Sequence, residues 1–293
     1  MTTIKFIIIL FAFSASRVVA ARCMMHTYDN PPDSIICIED RAEYMALEIV
    51  NNINPADTSL FSTPNLALDY IYLLSQMKMD RAKHCVSVLL EKFSAYENNL
   101  SKLLWLMERY LHNGKSPLYN DELYIVVLKV ILESEIDESF KIAPTYQIEI
   151  ANNNRIGKMA NNFNFSDGQG KKCNLYGIQS PHTLIVFSRS SCDYCKITKK
   201  LMLQNSLLTY LAKTGKLLIL YIDFEEELQK QEETPKWWIN GRIINDEINI
   251  DELYEIQFFP CFYLLDNYKR VLLKEADWER CNNYIIKRSH EWH

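Results

Sequence analysis

The spacing of apolar residues changes character near the middle of this 293-residue chain. From about Arg41 to Ser139 they recur three and four positions apart, the period of helices with one buried face. Arg41 to Ile53 carries Tyr44, Leu47 and Ile49. Pro64, placed where a first helical turn tolerates proline, precedes Leu66, Leu68, Ile71 and Leu74. Asp80 reads as the N-cap of a segment with Val86, Leu89, Leu90 and Phe93, and Asn98 as the start of one with Leu103, Leu104, Leu106, Met107 and Leu111. Asn113-Gly-Lys-Ser-Pro117 is a turn. Asp121 and Glu122 open a further helix through Leu132. Five or six helices with short turns predict a compact bundle.

Pro144 and the polar run Asn152 to Asn154 place a boundary near residues 141–156. Beyond it the pattern becomes that of a sheet. Phe163 and Phe165 alternate with polar residues ahead of Asp167-Gly168, and Cys173, Leu175 and Ile178 follow, which predicts a hairpin. Leu184 to Phe187 reads as a buried strand, Lys196 to Leu211 as a helix, and Lys216 to Asp223 as a buried parallel strand. After an acidic stretch, Glu225 to Glu233, Pro235 to Gly241 reads as a loop. A short helix (Asp251 to Ile256), a strand (Phe258 to Leu265), a turn, a returning strand (Lys269 to Lys274) and a last helix (Trp278 to Lys287) complete the pattern. The fold class expected is α + α/β, a helical bundle followed by a mixed sheet covered on both faces.

The chemistry concentrates where the first central strand meets its helix, at Ser188-Arg-Ser-Ser-Cys-Asp-Tyr-Cys195. Unpaired N–H groups and the positive end of a helix dipole favour a thiolate at such a position, lowering the first cysteine's pKa and raising its reactivity. Zinc half-sites share the Cys-x-x-Cys spacing, so it is the strand–turn–helix setting that points to thiol–disulfide chemistry. The helical half offers nothing comparable. His84 and His112 have no carboxylate or cysteine partner that spacing establishes. Trp105, Tyr70, Tyr72, Tyr110 and Tyr124 sit at helical spacing and read as core. That half is assigned a role as a partner-docking or dimerising surface for the C-terminal half.

Composition narrows the setting. Hydrophobic residues make up 48% and charged residues 24%, as in ordinary globular proteins. A net charge of −5 gives no basis for nucleic-acid binding. Lys5, the apolar run Phe6 to Phe13 and Val18-Val-Ala20 read as an export signal over residues 1–21, cleaved after Ala20 or Ala21. The apolar core is well short of the ~20 residues a membrane span needs. Arg22 before Cys23 argues against a lipoprotein. All eight cysteines lie beyond the cleavage site, in a compartment where disulfides persist. Those outside the Cys192 pair are mostly flanked by apolar residues and read as buried thiols. The expected location is the periplasm.

Residues 155–293 resemble a thioredoxin-like domain of the TlpA/ResA kind. The lead-in Arg155-Ile-Gly-Lys-Met-Ala-Asn-Asn-Phe-Asn-Phe165 is similar to that family's opening strand, Cys192-Asp-Tyr-Cys195 to its redox pair and Phe259-Pro260 to its cis-proline loop. With Tyr119 to Ile125 and Tyr263 to Asp266, the chain is similar to exported Bacteroidetes proteins that carry a helical domain of unknown function, here residues 22–150, before the thioredoxin-like one. The resemblance implies that Cys192 attacks, that Cys195 resolves the mixed disulfide, and that the Phe259 backbone beside a cis Pro260 pairs with an extended substrate. It implies protein thiols or disulfides as substrates, a membrane thiol donor, and no cofactor beyond the cysteines.

Three positions depart from the family pattern. Val186 stands where thioredoxins bury an acid, so the Cys195 proton needs another route, for which Asp223 and Glu226 are candidates. Asp193 opposes a low thiol pKa while Arg189, Lys196 and Lys199 favour one. Cys261 adds a third thiol after the proline, as a buried strand residue or an auxiliary redox or metal ligand. A peroxidase is rejected, since Arg189 replaces its threonine and no proline lies in Ser188 to Ser191. A non-catalytic binding module, and a metal site recruiting Cys261 and His182, stand as alternatives. Trp237 and Trp238 read as packing anchors or as the rim of a substrate groove.

Overall fold

The computed structural model describes residues 31–225, 235–244 and 250–292. The predicted export signal, Cys23 and Glu226 lie outside them. The chain divides into two compact units, one of residues up to His112 with Ser116–Thr145, the other of Asn113–Lys115 with Tyr146 onward.

The first unit is the helical bundle. Its helices are α1 (Ile38–Asn52), α2 (Asn65–Ser75), α3 (Met79–Phe93), α4 (Glu97–Leu111) and α5 (Asp121–Glu133). The central α3 buries Ala82, Cys85, Val86, Leu89, Leu90 and Phe93, one continuous face, and packs against α1, α2, α4 and α5. Fully burying a leucine or phenylalanine side chain of this kind contributes ~1.5–3 kcal/mol. Polar groups close the helix ends. Asn120 caps α5 by accepting the Leu123 N–H at 3.1 Å, and Lys92 donates to the α1 carbonyl of Asn51 at 2.8 Å. Asn99 is buried because its amide donates to the carbonyls of Pro55 and Asp57 at 2.9 and 2.8 Å.

Several helix details differ from expectation. Lys78 and not Asp80 is the N-cap of α3, leaving Asp80 in the first turn, where its charge suits the dipole. Tyr96 precedes α4, which begins one residue before Asn98. Trp105 and Tyr72 are 55% and 52% exposed, not core. Trp105 sits on the outward side of α4, with the Arg109 guanidinium 5.1 Å from its ring centre. Pro144 does not break the chain either. It lies inside α6 (Ile142–Asn152), at the third residue, where a missing N–H leaves no helix bond unmade. The division between the units falls within this helix.

The second unit is built on a seven-stranded sheet of order β2-β1-β5-β4-β3-β6-β7. The strands are β1 (Asn164–Asp167), β2 (Lys172–Asn174), β3 (His182–Ser188), β4 (Leu218–Asp223), β5 (Trp238–Ile243), β6 (Cys261–Asp266) and β7 (Val271–Ala276). Strands β3, β4 and β5 run parallel, while β6 is antiparallel to β3 and β7 to β6. The hairpin β1–β2 joins the far side through antiparallel β1–β5. Side-chain alternation sorts the core into two layers. Leu184 and Val186 of β3, with Phe262 and Leu264 of β6, pack against Met202, Leu208 and Leu211 from α7 (Asp193–Gln204) and α8 (Ser206–Lys213) and against Ile285 of α10 (Trp278–Arg288). Ile185, Phe187, Cys261 and Tyr263 face the other way, toward Phe163, Phe165 and Tyr254, the last from the short helix α9 (Ile250–Tyr254).

The stretch Pro235 to Gly241, expected as a loop, contributes most of β5 instead. Trp238 is buried and stacks on Tyr221 at 5.8 Å, which anchors the strand. Gly241 is required there, because a Cβ would lie 2.7 Å from the Phe165 ring and 2.8 Å from Ile222 Cδ1.

Candidate active site

The last residue of β3, Ser188, leads into a three-residue turn and then Cys192, the N-cap of α7. The Cys192 sulfur occupies the place a capping oxygen usually fills and accepts the Cys195 N–H at 3.3 Å. Cys192 is half-buried, whereas Cys195, one turn into the helix, is 2% exposed. Both are free thiols. Burial pushes the Cys195 thiol up to about 11, and the neighbouring Cys192 adds to the rise. Hydrogen bonds from the Arg189 backbone and the Ser188 hydroxyl oppose it.

Two carboxylates at the end of β4 hold the turn. Asp223 accepts the Ser190 hydroxyl, the Ser190 N–H at 3.3 Å and the Glu225 N–H at 3.0 Å. Glu225 accepts the Ser191 hydroxyl and the Ser191 N–H at 2.9 Å. These bonds fix the loop from which Cys192 projects. They also occupy Asp223, which sequence offered as a proton acceptor for Cys195. The hydroxyl that bears on Cys195 is that of Ser188, whose Oγ is 2.6 Å from the Tyr221 phenol. Sequence reasoning missed that pair, since only the register of β3 with β4 brings it together.

The nearby cations are engaged elsewhere. Lys196 pairs with Asp193 at 3.1 Å, both exposed. Lys199 lies over the Tyr221 ring at 5.3 Å and Arg189 over the Phe259 ring at 4.3 Å. Phe259–Pro260 is a cis peptide. Cys261 pairs with Phe187, so Pro260 stands beside the end of β3 from which the Cys192 turn departs. Phe259 makes an edge contact with Phe224 at 5.1 Å, closing that side of the turn.

Other expected site residues are placed apart. Cys261 is fully buried on the sheet face opposite α7, where burial raises its pKa well above the usual thiol range. His182 opens β3 at the end remote from Cys192, stacked on Trp292 at 4.0 Å, with Nδ1 3.2 Å from the Lys216 carbonyl. Six strand steps, roughly 20 Å, separate it from Ser188, so it is no co-ligand of the cysteine pair. Burial lowers its pKa. Among the described residues no group of three or more His, Cys, Asp or Glu side chains is arranged to hold a metal. Trp238 lies in β5, separated from β6 by the two strands β4 and β3, and Trp237 stacks under Lys213 at 4.9 Å, so neither rims the Pro260 edge. In the helical unit His112 does have a carboxylate partner. Its Nδ1 is 2.8 Å from Asp121, both 7% exposed, with Tyr119 donating to the other Asp121 oxygen at 2.7 Å.

A crystal structure of a thioredoxin-like protein from Bacteroides caccae matches 90% of this chain and 99% of its own, at 29% identity and a TM-score of 0.78. Residues 19–154 match the family model described as a domain of unknown function, DUF5106. The chain is a thioredoxin-fold protein with an N-terminal helical domain of unknown function. Shorter structures match a smaller share of the chain. The C-terminal domain of an uncharacterized Bacteroides fragilis protein covers 45% of this chain and 98% of its own, at 29% identity and a TM-score of 0.42. The thioredoxin domain of a thiol-disulfide oxidoreductase from Bacteroides vulgatus covers 45% and 96%, at 18% identity and 0.38. A search of curated proteins finds no match.

Proposed function

We propose that this thioredoxin-fold chain is an exported thiol–disulfide oxidoreductase working through Cys192 and Cys195. The observation that carries the reading is the pairing of a half-buried sulfur at a helix N-cap with a buried thiol one turn behind it, joined by the Cys195 N–H to Cys192 Sγ contact. A partner's sulfur can reach the first position and not the second. The Cys192 thiolate attacks one sulfur of a partner disulfide, whose second sulfur leaves with the bonding electrons. Cys195, deprotonated, then attacks Cys192 Sγ, and the partner's first sulfur departs as thiolate. Two electrons pass from the dithiol to the partner, and the reverse sequence oxidises a partner dithiol. The edge carrying Phe259 and the cis Pro260 lies beside this turn, where an extended polypeptide would align. A membrane thiol donor would return the disulfide to the dithiol, and the helical unit would dock a partner. The N-terminal apolar run supports export, and among the described residues no helix is long and apolar enough to cross a membrane.

The test is a trap. With Cys195→Ser the resolving thiol is gone, so mixing with oxidised insulin is expected to accumulate a covalent insulin adduct at Cys192, released by dithiothreitol. Cys192→Ser should give none. An equal yield of adduct from both variants, or reduction of insulin by the Cys192→Ser protein at the parent's rate, would reject the mechanism. Failure of the parent itself to exchange with insulin or with smaller disulfides would leave a binding module.

A further inference from the structure

We propose that the Ser188–Tyr221 hydroxyl pair is the proton path of the Cys195 thiol, taking the place of a carboxylate at position 186; the proposal rests on the exchange mechanism above. Cys195 must lose its proton to attack Cys192, and it is buried. Val186 has no proton to move, and Asp223 is bound by Ser190 and the Glu225 N–H. Ser188 is 1% exposed, lies close enough to Cys195 for its hydroxyl to favour the thiolate, and hydrogen bonds at 2.6 Å with the Tyr221 phenol. Val186 faces Tyr221 across the β3–β4 ladder and Ser188 faces Asp223, so Ser188 and Tyr221 reach each other diagonally on the face covered by α7. Tyr221 is the more exposed of the two residues and is the end assigned to pass the proton to water.

A hydroxyl donates and accepts at once, so it can pass a proton along without holding a charge. As the Cys195–Cys192 bond forms, the Cys195 proton moves to Ser188 Oγ. The Ser188 proton moves to the Tyr221 oxygen, and the Tyr221 proton leaves to water. Both hydroxyls end neutral. The electron pair of the Cys192–partner bond departs with the partner sulfur, which takes a proton from solvent. The groups facing this line are Cys192 and Lys199 from α7, Asp223 from β4 and the backbone of Arg189. Burial raises the Tyr221 pKa, so the phenol stays protonated and relays rather than stores. In this path Ser188 exchanges the proton with the reacting sulfur and is the catalytic member. Tyr221 acts through it and is a positioning residue.

Reaction of the reduced full chain with 5,5′-dithiobis(2-nitrobenzoate) separates the steps. Attack by Cys192 releases a first nitrothiobenzoate, and resolution by Cys195 releases a second. Tyr221→Phe is expected to leave the first phase intact and to slow the second about tenfold or more near neutral pH, the low end of acid–base contributions. The gap should close as pH rises and hydroxide takes the proton directly. Ser188→Ala should slow the second phase at least as much, and the double variant no more than the slower single one, because the two act in series. A Tyr221→Phe second phase within about twofold of the parent at every pH, with the first phase intact, overturns the relay. Should Ser188→Ala lose the first phase too, Ser188→Thr decides. A normal second phase with the hydroxyl kept supports the path, and a slow one refutes it. A parent that releases a single equivalent at the pair ends the exchange reading itself, and the relay with it.

Discussion

Raising the pH tests the burial of Cys195 directly. Its thiol is pushed up to about 11 from the ordinary value of 9.0, chiefly because a buried sulfur resists taking a charge. At pH 8 a thiol ionising at 9.0 is about one-tenth thiolate, whereas one ionising near 11 is about one-thousandth, a difference of about a hundredfold in the reactive form. Only the thiolate alkylates, so the ionisation alone slows Cys195 about a hundredfold at pH 8, and its 2% exposure slows it further. The rate should climb about tenfold per pH unit through pH 10 and level only above it. The assay is a brief iodoacetamide pulse on protein kept reduced with a phosphine, with each cysteine peptide quantified by mass spectrometry. Cys37, exposed on the same chain, serves as the internal reference. Labelling of Cys195 at pH 8 as fast as Cys37, or a plateau near pH 9, would refute the reasoning.

The same shift makes stability depend on pH. The native state holds the Cys195 proton to about 11, while the unfolded chain releases it near 9.0, so this contribution is fully present below about pH 9 and is lost as pH rises through 11. It amounts to roughly 2–3 kcal/mol, and urea unfolding of Cys195→Ala should show a correspondingly shallower alkaline decline than the parent. Asn205 caps α8 by accepting the Leu208 N–H at 2.9 Å, and its amide donates to Asn282 of α10 at 2.8 Å. Asn205→Ala should therefore cost about 1–2 kcal/mol in denaturant unfolding, and an unchanged midpoint would deny the cap a role. Gly241→Ala drives a methyl against Phe165 and Ile222, a predicted loss of about 1–3 kcal/mol; a neutral effect on the melting temperature would mean that β1 and β5 part freely.

What sequence conveyed was local periodicity. Leu184 to Phe187 ahead of a helical pattern was enough to place Cys192 at the head of α7, because strand burial and helix spacing are both written in consecutive residues. The hairpin at Asp167–Gly168 and the parallel β4 were legible for the same reason. The misses all required packing. Trp237-Trp238-Ile-Asn-Gly241 mixes aromatic and polar residues after a proline and reads as a loop, yet the β4 and β1 neighbours on either side make it an interior strand. His112 and Asp121 meet only once α4 and α5 fold back across the turn between them. Trp105 has core spacing but an outward azimuth, which periodicity does not resolve at one residue per turn. The Ser188–Tyr221 contact depends on a register that no spacing encodes, since residues 33 apart on two parallel strands must meet.

The central claim is that Cys192 and Cys195 exchange as a pair, and equilibrium redox titration tests it most directly. The parent protein is equilibrated across dithiothreitol buffers, its thiols are trapped with acid and maleimide, and the peptides are mapped. The account predicts one two-electron transition, with the loss of two hydrogens confined to the peptide that holds Cys192 and Cys195, while Cys85, Cys261 and Cys281 stay as buried thiols throughout. A transition that links any other cysteines, or a Cys192–Cys195 pair that stays reduced in the most oxidising buffer, would contradict it.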